Sequence, residues 1–156
     1  MEIRMYGLVP YNISPIQQGI QFGHAVVEYG INNSTDEYKQ WSNEDKTFII
    51  LNGGTTNNNP NKLGTLNKHL ESLKSANIKV AEFYEPDLGD QLTAVVFLVD
   101  ERVFNKELYP DYEPILLDRV IKTKKYKKWC KNFNTSKEEL GKILFLRSFL
   151  KNFRLA

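Results

Sequence analysis

The 156-residue chain contains a single cysteine, Cys130, and only two histidines. One cysteine cannot form a disulfide within the chain, and no group of Cys, His or acidic residues has the spacing of metal ligands. We therefore expect no metal site and no cofactor. Neighbouring lysines can lower the pKa of the Cys130 thiol, but an unreactive surface or half-buried cysteine is the favoured interpretation.

Long apolar segments are also missing from the sequence. No window approaches the roughly 20 consecutive apolar residues that span a bilayer. The N-terminus lacks the basic start and apolar run of a secretory signal. We therefore expect a cytoplasmic protein with no membrane association. The apolar content of 41%, with Phe and Tyr spread along the chain, indicates a globular protein rather than a disordered one.

The balanced total charge hides an uneven distribution along the chain. Residues 1–118 carry 9 basic and 17 acidic side chains, a net charge of −8, whereas residues 119–156 carry 12 basic and 2 acidic ones, a net charge of +10. We predict a domain over residues 1–100 and a basic helical extension over residues 101–156. The extension either docks on the domain or on a partner protein, or meets an acidic partner such as RNA.

Apolar runs and helix signals predict strands that alternate with helices. The predicted strands run from Met5 to Val9, Lys46 to Leu51, Lys79 to Tyr84 and Leu92 to Val99. The predicted helices are Pro15 to Tyr29, a short one with Tyr38 and Trp41, Thr65 to Asn77, Leu116 to Trp129, and one that begins at Thr135-Ser136. This order predicts an α/β fold with a mixed four-stranded sheet flanked by helices, followed by a helical C-terminal extension.

The first predicted helix carries one candidate functional motif. Its apolar residues recur at spacings of three and four, which predicts an amphipathic helix: Ile16, Ile20, Gly23, Val27 and Ile31. Gln21 and His24 are three residues apart and therefore lie on one helical face. Either His24 is a functional residue, or it is a structural histidine held by hydrogen bonds. His69, on a later helix, is more readily explained as structural.

The second candidate motif is the turn between the last two predicted strands. The segment from Glu85 to Ala94 brings three carboxylates and Thr93 into a tight connection. Turns between the strands of α/β folds commonly provide ligand contacts. A solvated turn without a function is the alternative.

Together with the order of elements, these motifs resemble the type II peptidyl-tRNA hydrolase family, and most closely its small uncharacterised bacterial and viral relatives. The resemblance covers about residues 3 to 100 and rests on Gln21-x-x-His24-Ala25 and on Glu85-Pro86-Asp87-Leu88 with the following Thr93-Ala94. It implies the family fold and cleavage of the ester between a peptide and the 3′ end of tRNA.

The resemblance also implies roles for individual residues. Active family members use a lysine early in the first helix, with an aspartate and a threonine from the hairpin; Asp87 and Thr93 match the latter two. The lysine is replaced by Gln17, and the spacing from Asp87 to Thr93 is longer than in the active enzymes. The predicted catalytic residues are His24, Asp87 and Thr93, and the predicted substrate-binding residues are Gln17, Gln21, Lys124, Lys125 and Lys128.

Three functions follow as hypotheses. The first is a hydrolase that acts on peptidyl- or aminoacyl-tRNA, with the lysines of the extension holding phosphates and Tyr126 and Trp129 stacking on bases. In the alternative view of this segment, those two aromatic residues belong to a helix core and the lysines form a solvated face. The second hypothesis is a noncatalytic module that binds a nucleotide, an RNA or a protein. The third is a homodimer formed through the apolar C-terminal helix.

Overall fold

The computed structural model describes residues 1–110, 130–131 and 133–156. It divides into two compact units, one formed by Met1–Asp100 with Asn152–Ala156 and the other by Glu101–Lys151. The helix predicted from Leu116 to Trp129 lies outside the described residues, as do Lys124, Lys125 and Lys128. No helix in the described part of the chain is long and apolar enough to cross a membrane.

A four-stranded sheet forms the centre of the first unit. Its strands are β1 (Ile3–Pro10), β2 (Thr47–Gly54), β3 (Ala81–Glu85) and β4 (Gln91–Asp100). The spatial order is β2-β1-β4-β3, in which β1 runs parallel to β2 and antiparallel to β4, and β3 runs antiparallel to β4. The predicted α/β fold with a mixed four-stranded sheet is therefore confirmed.

The helices of the first unit lie where the sequence predicts them. They are α1 (Pro15–Asn32), α2 (Asp36–Gln40), which continues into a π-helical turn (Trp41–Asp45), and α3 (Thr65–Ser75). Helix α1 begins at a capping box in which the Ser14 hydroxyl accepts the backbone N–H of Gln17 and the Ser14 N–H donates to the Gln17 side chain. Pro15 occupies the first helical position, where its missing N–H costs nothing.

The core lies on both faces of the two central strands. Met5 and Val9 of β1 pack in a cluster with Phe22 of α1, and Leu8 points to the opposite face because side chains alternate along a strand. Strand β4 is buried almost throughout, which explains its continuous apolar run. Gly7 lets the Phe22 ring lie directly on β1, since a side chain there would overlap the ring.

Helix α1 buries a different face from the one that the spacing of its apolar residues predicts. The buried residues are Gln21, Phe22, Ala25 and Tyr29. Ile16, Ile20, Val27 and Ile31 are exposed, although an amphipathic helix normally buries such a stripe. The reason is that α1 has two apolar faces, and the one with the two large aromatic rings fills the space above the sheet.

The second unit contains helices α4 (Glu101–Phe104) and α5 (Lys137–Leu150). The predicted helix that begins at Thr135-Ser136 is confirmed as α5, which starts with a capping box between Ser136 and Glu139. Within this unit Arg147 is 7% exposed, and its guanidinium donates to the backbone carbonyls of Arg102 and Tyr109.

The last residues of the chain lie against β2 in the first unit. The backbone N–H of Asn52 donates to the carbonyl of Arg154 at 2.9 Å, and the N–H of Ala156 donates to the carbonyl of Ile50 at 2.9 Å. Phe153 packs its ring against that of His69 on α3, with centroids 4.8 Å apart. This short pairing covers part of the β2 edge, which would otherwise present unpaired backbone groups.

Candidate functional site

A chain of hydrogen bonds connects α1 to the β3–β4 hairpin. The Thr93 hydroxyl donates to Gln21 Oε1 at 2.6 Å, and Gln21 Nε2 donates to Glu85 Oε2 at 2.7 Å. Thr93 is 0% exposed and Gln21 is 7% exposed, whereas Glu85 is half-buried. The chain therefore runs from the core to the surface and ends in a carboxylate that solvent can reach.

A β-bulge brings Thr93 into this chain. In the ladder between β3 and β4, Phe83 pairs with Ala94 and Tyr84 with Leu92, so Thr93 is the extra residue on β4. The Thr93 hydroxyl also lies 3.3 Å from the carbonyl oxygen of Phe83. Bulges redirect side chains and occur often beside functional sites, and here the bulge directs a hydroxyl at the buried side of α1.

The charge of Glu85 fixes the orientation of the Gln21 amide. Were the amide turned around, its oxygen would face the carboxylate of Glu85 and the two groups would repel each other. The hydrogen bond from Gln21 holds the pKa of Glu85 below its usual value, with smaller contributions from the Asp87 backbone N–H and the nearby His24, while partial burial opposes the shift. Glu85 is therefore ionised at neutral pH.

His24 lies beside the hydrogen bonds from Thr93 to Glu85, on the exposed side of α1. Its imidazole stacks on the Phe83 ring, with centroids 4.5 Å apart and planes inclined by 14°. The stacking restricts the ring to one plane while leaving its edge toward solvent. His24 is thus oriented by packing and is close enough to Glu85 to influence its carboxylate.

The turn between β3 and β4 presents Asp87. A 3₁₀ turn spans Pro86–Leu88, and the backbone N–H of Asp87 donates to Glu85 Oε1 at 3.3 Å. Gly89 closes the turn with a φ of +67°, a conformation that glycine adopts without strain. Asp87 itself is exposed. Glu85 and Asp87 therefore both carry carboxylates that solvent can reach, and the Glu85 carboxylate accepts the Asp87 backbone N–H.

Gln17 lies one helical turn before Gln21, at the exposed start of α1. Its side-chain oxygen accepts the Ser14 N–H at 3.2 Å as part of the capping box. The amide nitrogen keeps its two hydrogens for another partner. A lysine at this position could not accept the Ser14 N–H, so glutamine gives this helix a cap that a lysine would not.

The structure therefore brings Gln21 and Thr93 into direct contact. It also places His24 and Asp87 beside Glu85, which is bonded to Gln21. Sequence reasoning included Glu85 in the motif but assigned the hairpin's role to Asp87. The signal that could have identified Glu85 was Gln21, because a glutamine on the buried side of a helix needs partners for both its oxygen and its nitrogen.

In chemical terms, the site offers an ionised carboxylate, an exposed carboxylate and an oriented imidazole. Such groups can accept protons or orient a water molecule or an amine. The described residues contain no group of three His, Cys, Asp or Glu side chains that could hold a metal ion. No protein-family model and no curated protein matches this sequence.

Proposed function

We propose that this protein is a peptidyl-tRNA hydrolase-like enzyme that cleaves the ester at the 3′ end of a peptidyl- or aminoacyl-tRNA. The observation that carries the proposal is the contact between the two motifs behind the resemblance. Gln21 of the helix motif bonds to Thr93 and to Glu85 of the hairpin motif. Two segments distant in sequence thus form one polar site.

In this proposal the buried and the exposed residues have different roles. Gln21 and Thr93 are positioning residues, because their hydrogen bonds to each other hold α1 and the hairpin in register. His24 and Asp87 reach the surface and would contact the substrate. Glu85 would orient the attacking water between them.

Ester hydrolysis here would follow the usual course of acyl transfer. A water oxygen attacks the ester carbonyl carbon while His24 or Asp87 accepts its proton. The tetrahedral oxyanion needs hydrogen-bond donors, for which the side-chain amide nitrogen of Gln17 is the candidate. When the intermediate collapses, the ribose oxygen leaves and takes up a proton, giving a free carboxylic acid and the tRNA 3′ hydroxyl.

Binding of tRNA requires a source of positive charge. Residues 1–118 have a net charge of −8, so the attraction would come from the basic segment, with Lys124, Lys125 and Lys128 as the proposed phosphate contacts. Affinity that depends on lysine–phosphate contacts falls steeply as salt rises, because binding releases counterions.

The test is a hydrolysis assay with purified full-length protein and a radiolabelled peptidyl-tRNA. We expect release of the peptide above the rate in buffer, and a loss of about 100-fold or more in Asp87→Asn or His24→Gln, the usual range for removal of a general base. Asp90→Asn is the matched control, since Asp90 is an exposed aspartate of the same turn. Its rate should stay within about twofold of wild type, the scale of a surface change.

Two results would count against the proposal. One is cleavage no faster than in buffer, and the other is cleavage that both Asp87→Asn and His24→Gln leave unchanged. A rate reduced equally by Asp90→Asn would indicate a general effect of the turn's charge rather than a role of Asp87.

A noncatalytic binding module is the second candidate function, and Gln17 favours it. This side chain is neutral and takes part in a helix cap, so the positively charged donor of the active family members is missing. Calorimetric titration with nucleotides and with deacylated tRNA distinguishes the two functions. Saturable binding without turnover supports the binding module, and the absence of any binding rules it out.

A further inference from the structure

The loop between β2 and α3 is bonded to the turn between β3 and β4. This loop, the asparagine loop, comprises residues 55–64 and contains four asparagines. Asn58 Nδ2 donates to the backbone carbonyl of Asp90 at 2.8 Å. Asn58 Oδ1 accepts from Asn67 Nδ2 at 2.9 Å, and Asn67 Oδ1 accepts the backbone N–H of Asn57 at 3.0 Å. Asn67 lies on α3 and is 9% exposed, so a buried residue is connected through the loop to a surface turn.

The amides of Asn58 and Asn67 each have one orientation that satisfies both neighbours. The backbone N–H of Asn57 can only donate, and the carbonyl of Asp90 can only accept. Asn67 therefore turns its oxygen to Asn57 and its nitrogen to Asn58, whose own nitrogen is left for Asp90. Turning either amide around would set two donors or two acceptors against each other. Although Asn58 is exposed, the buried Asn67 thus fixes the direction of its hydrogen bond.

We propose that Asn58, oriented by Asn67, is a positioning residue of the candidate site, which holds the β3–β4 turn in the conformation that places the Asp87 carboxylate. Within the described part of the chain this carboxylate accepts no hydrogen bond, so its position depends on the backbone of the turn. The effect of Asn58 on catalysis rests on the proposed function, whereas its effect on the turn does not.

The turn is held on both sides of Asp87. Before it, the Glu85 carboxylate accepts a hydrogen bond from Gln21, and after it the carbonyl of Asp90 accepts one from Asn58. A misplacement of about 1 Å in a reacting group can lower the rate about 100-fold. A catalytic carboxylate on a surface turn therefore needs support of this kind.

The backbone at the end of the turn explains why a bond from outside is needed. Gly89 has a φ of +67° and Asp90 a φ of +57°. Glycine adopts this left-handed region freely, whereas a residue with a side chain disfavours it. The N–H of Asp90 donates to the carbonyl of Glu85 at 3.0 Å within the turn, and its carbonyl bonds to Asn58. Asn58 thus stabilises the residue of the turn that adopts a disfavoured backbone conformation.

The buried polar side chains of the first unit all contribute to the support of this turn. Among the unit's described residues they are Gln21, Asn67 and Thr93. Burying a polar group is unfavourable unless it is hydrogen-bonded, and a fully satisfied buried network makes a structure rigid. Gln21 and Thr93 act on the side of Glu85, and Asn67 acts on the side of Asp90. Their convergence on one surface turn argues against a turn that only connects two strands.

The first experiment measures amide hydrogen exchange of full-length protein by NMR. The N–H groups of Gly89 and Asp90 are bonded within the turn, so their exchange reports its opening. Asn58→Asp keeps the acceptor for Asn67 but loses the donor to Asp90. It should speed exchange at Gly89 and Asp90 by about fivefold or more, the factor that one ordinary hydrogen bond contributes. The N–H groups in the centre of β4 should be unaffected.

Asn61→Asp is the matched control. Asn61 is an exposed asparagine of the same loop, and its side chain makes no hydrogen bond within the described residues, so the variant adds the same charge without removing a bond. Exchange in the turn should remain as in wild type.

The second experiment applies the peptidyl-tRNA assay to the same variants. Asn58→Asp should lower kcat about 10-fold or more relative to Asn61→Asp, because a displaced carboxylate slows the chemical step. KM should agree within about twofold between the two variants, since they carry the same charge. In an Asp87→Asn background Asn58→Asp should have no further effect on kcat, because it acts through Asp87. Asp90→Asn keeps the backbone carbonyl that Asn58 contacts and should react like wild type.

Two outcomes overturn the inference. One is exchange at Gly89 and Asp90 that Asn58→Asp leaves unchanged. The other is an active wild-type enzyme in which Asn58→Asp leaves kcat unchanged, or lowers it equally with and without Asp87→Asn. An inactive wild type whose turn exchanges faster in Asn58→Asp would refute the proposed function and support the role of Asn58 in holding the turn.

Discussion

Replacing Thr93 by valine tests whether the hydrogen-bond chain stabilises the fold. Valine has the shape of threonine but no hydroxyl, so Gln21 Oε1 would lose the donor that now lies 2.6 Å away. Gln21 is 7% exposed, so little water can replace that donor. A buried acceptor left unpaired costs about 1 to 3 kcal/mol. The free energy of unfolding should fall by that amount, and Tm by roughly 2 to 4 °C per kcal/mol.

The assay is urea unfolding followed by tryptophan fluorescence, with a double-mutant cycle. Gln21→Met removes the unpaired oxygen, so Thr93→Val should cost less in that background, with a coupling energy of about 1 kcal/mol or more. Thr47→Val is the matched control. The Thr47 hydroxyl donates to the nearby backbone carbonyl of Asp45 at 3.3 Å on a half-buried strand end, and its loss should change the free energy of unfolding by about 0.5 kcal/mol or less. A Thr93→Val protein as stable as wild type, or a cycle without coupling, would refute the reasoning.

Three further predictions concern stability. The pKa of Glu85 is lower in the folded protein than its ordinary value, so the ionised carboxylate stabilises the fold at pH values above that ordinary value and loses this effect as pH falls through the lower folded value. Glu85→Gln should therefore flatten the acid side of the curve of unfolding free energy against pH. Gly7→Ala should lower the free energy of unfolding by about 1 to 3 kcal/mol, because the new methyl group would overlap the Phe22 ring. Gly19→Ala should raise it by up to about 1 kcal/mol, because glycine is unfavourable in a helix interior and a methyl group there meets no neighbouring atom. Arg147→Lys should lower the free energy of unfolding, measured by thermal unfolding, by about 1 to 3 kcal/mol, because lysine lacks the planar group with which arginine donates to two separate carbonyls.

The order of strands and helices could be predicted because local signals and tertiary structure agree. The buried run of β4, the cap and proline at the start of α1, and the capping box of α5 each define an element without knowledge of its neighbours. The buried side of α1 could not be predicted in the same way. Two apolar faces compete on that helix, and the choice depends on Gly7, a residue on β1 that admits the Phe22 ring.

The candidate site was predictable only as two separate motifs. Gln21, His24 and Asp87 belong to segments that look polar and functional in sequence. The contact between Thr93 and Gln21 depends on a bulge, and a shift of one residue in strand pairing leaves no simple trace in the sequence. The sequence likewise does not show that the carboxylate of Glu85, rather than that of Asp87, accepts the hydrogen bond from Gln21.

The pairing of the final residues with β2 alters how the chain's connectivity should be understood. Residues 101–151 leave the first unit after β4, and the chain then returns to that unit at Asn152. In topological terms they are an insertion rather than a tail, with both ends tied to the same sheet. A protease cut within the insertion would therefore leave residues 152–156 attached to the sheet by hydrogen bonds and by the contact of Phe153 with His69.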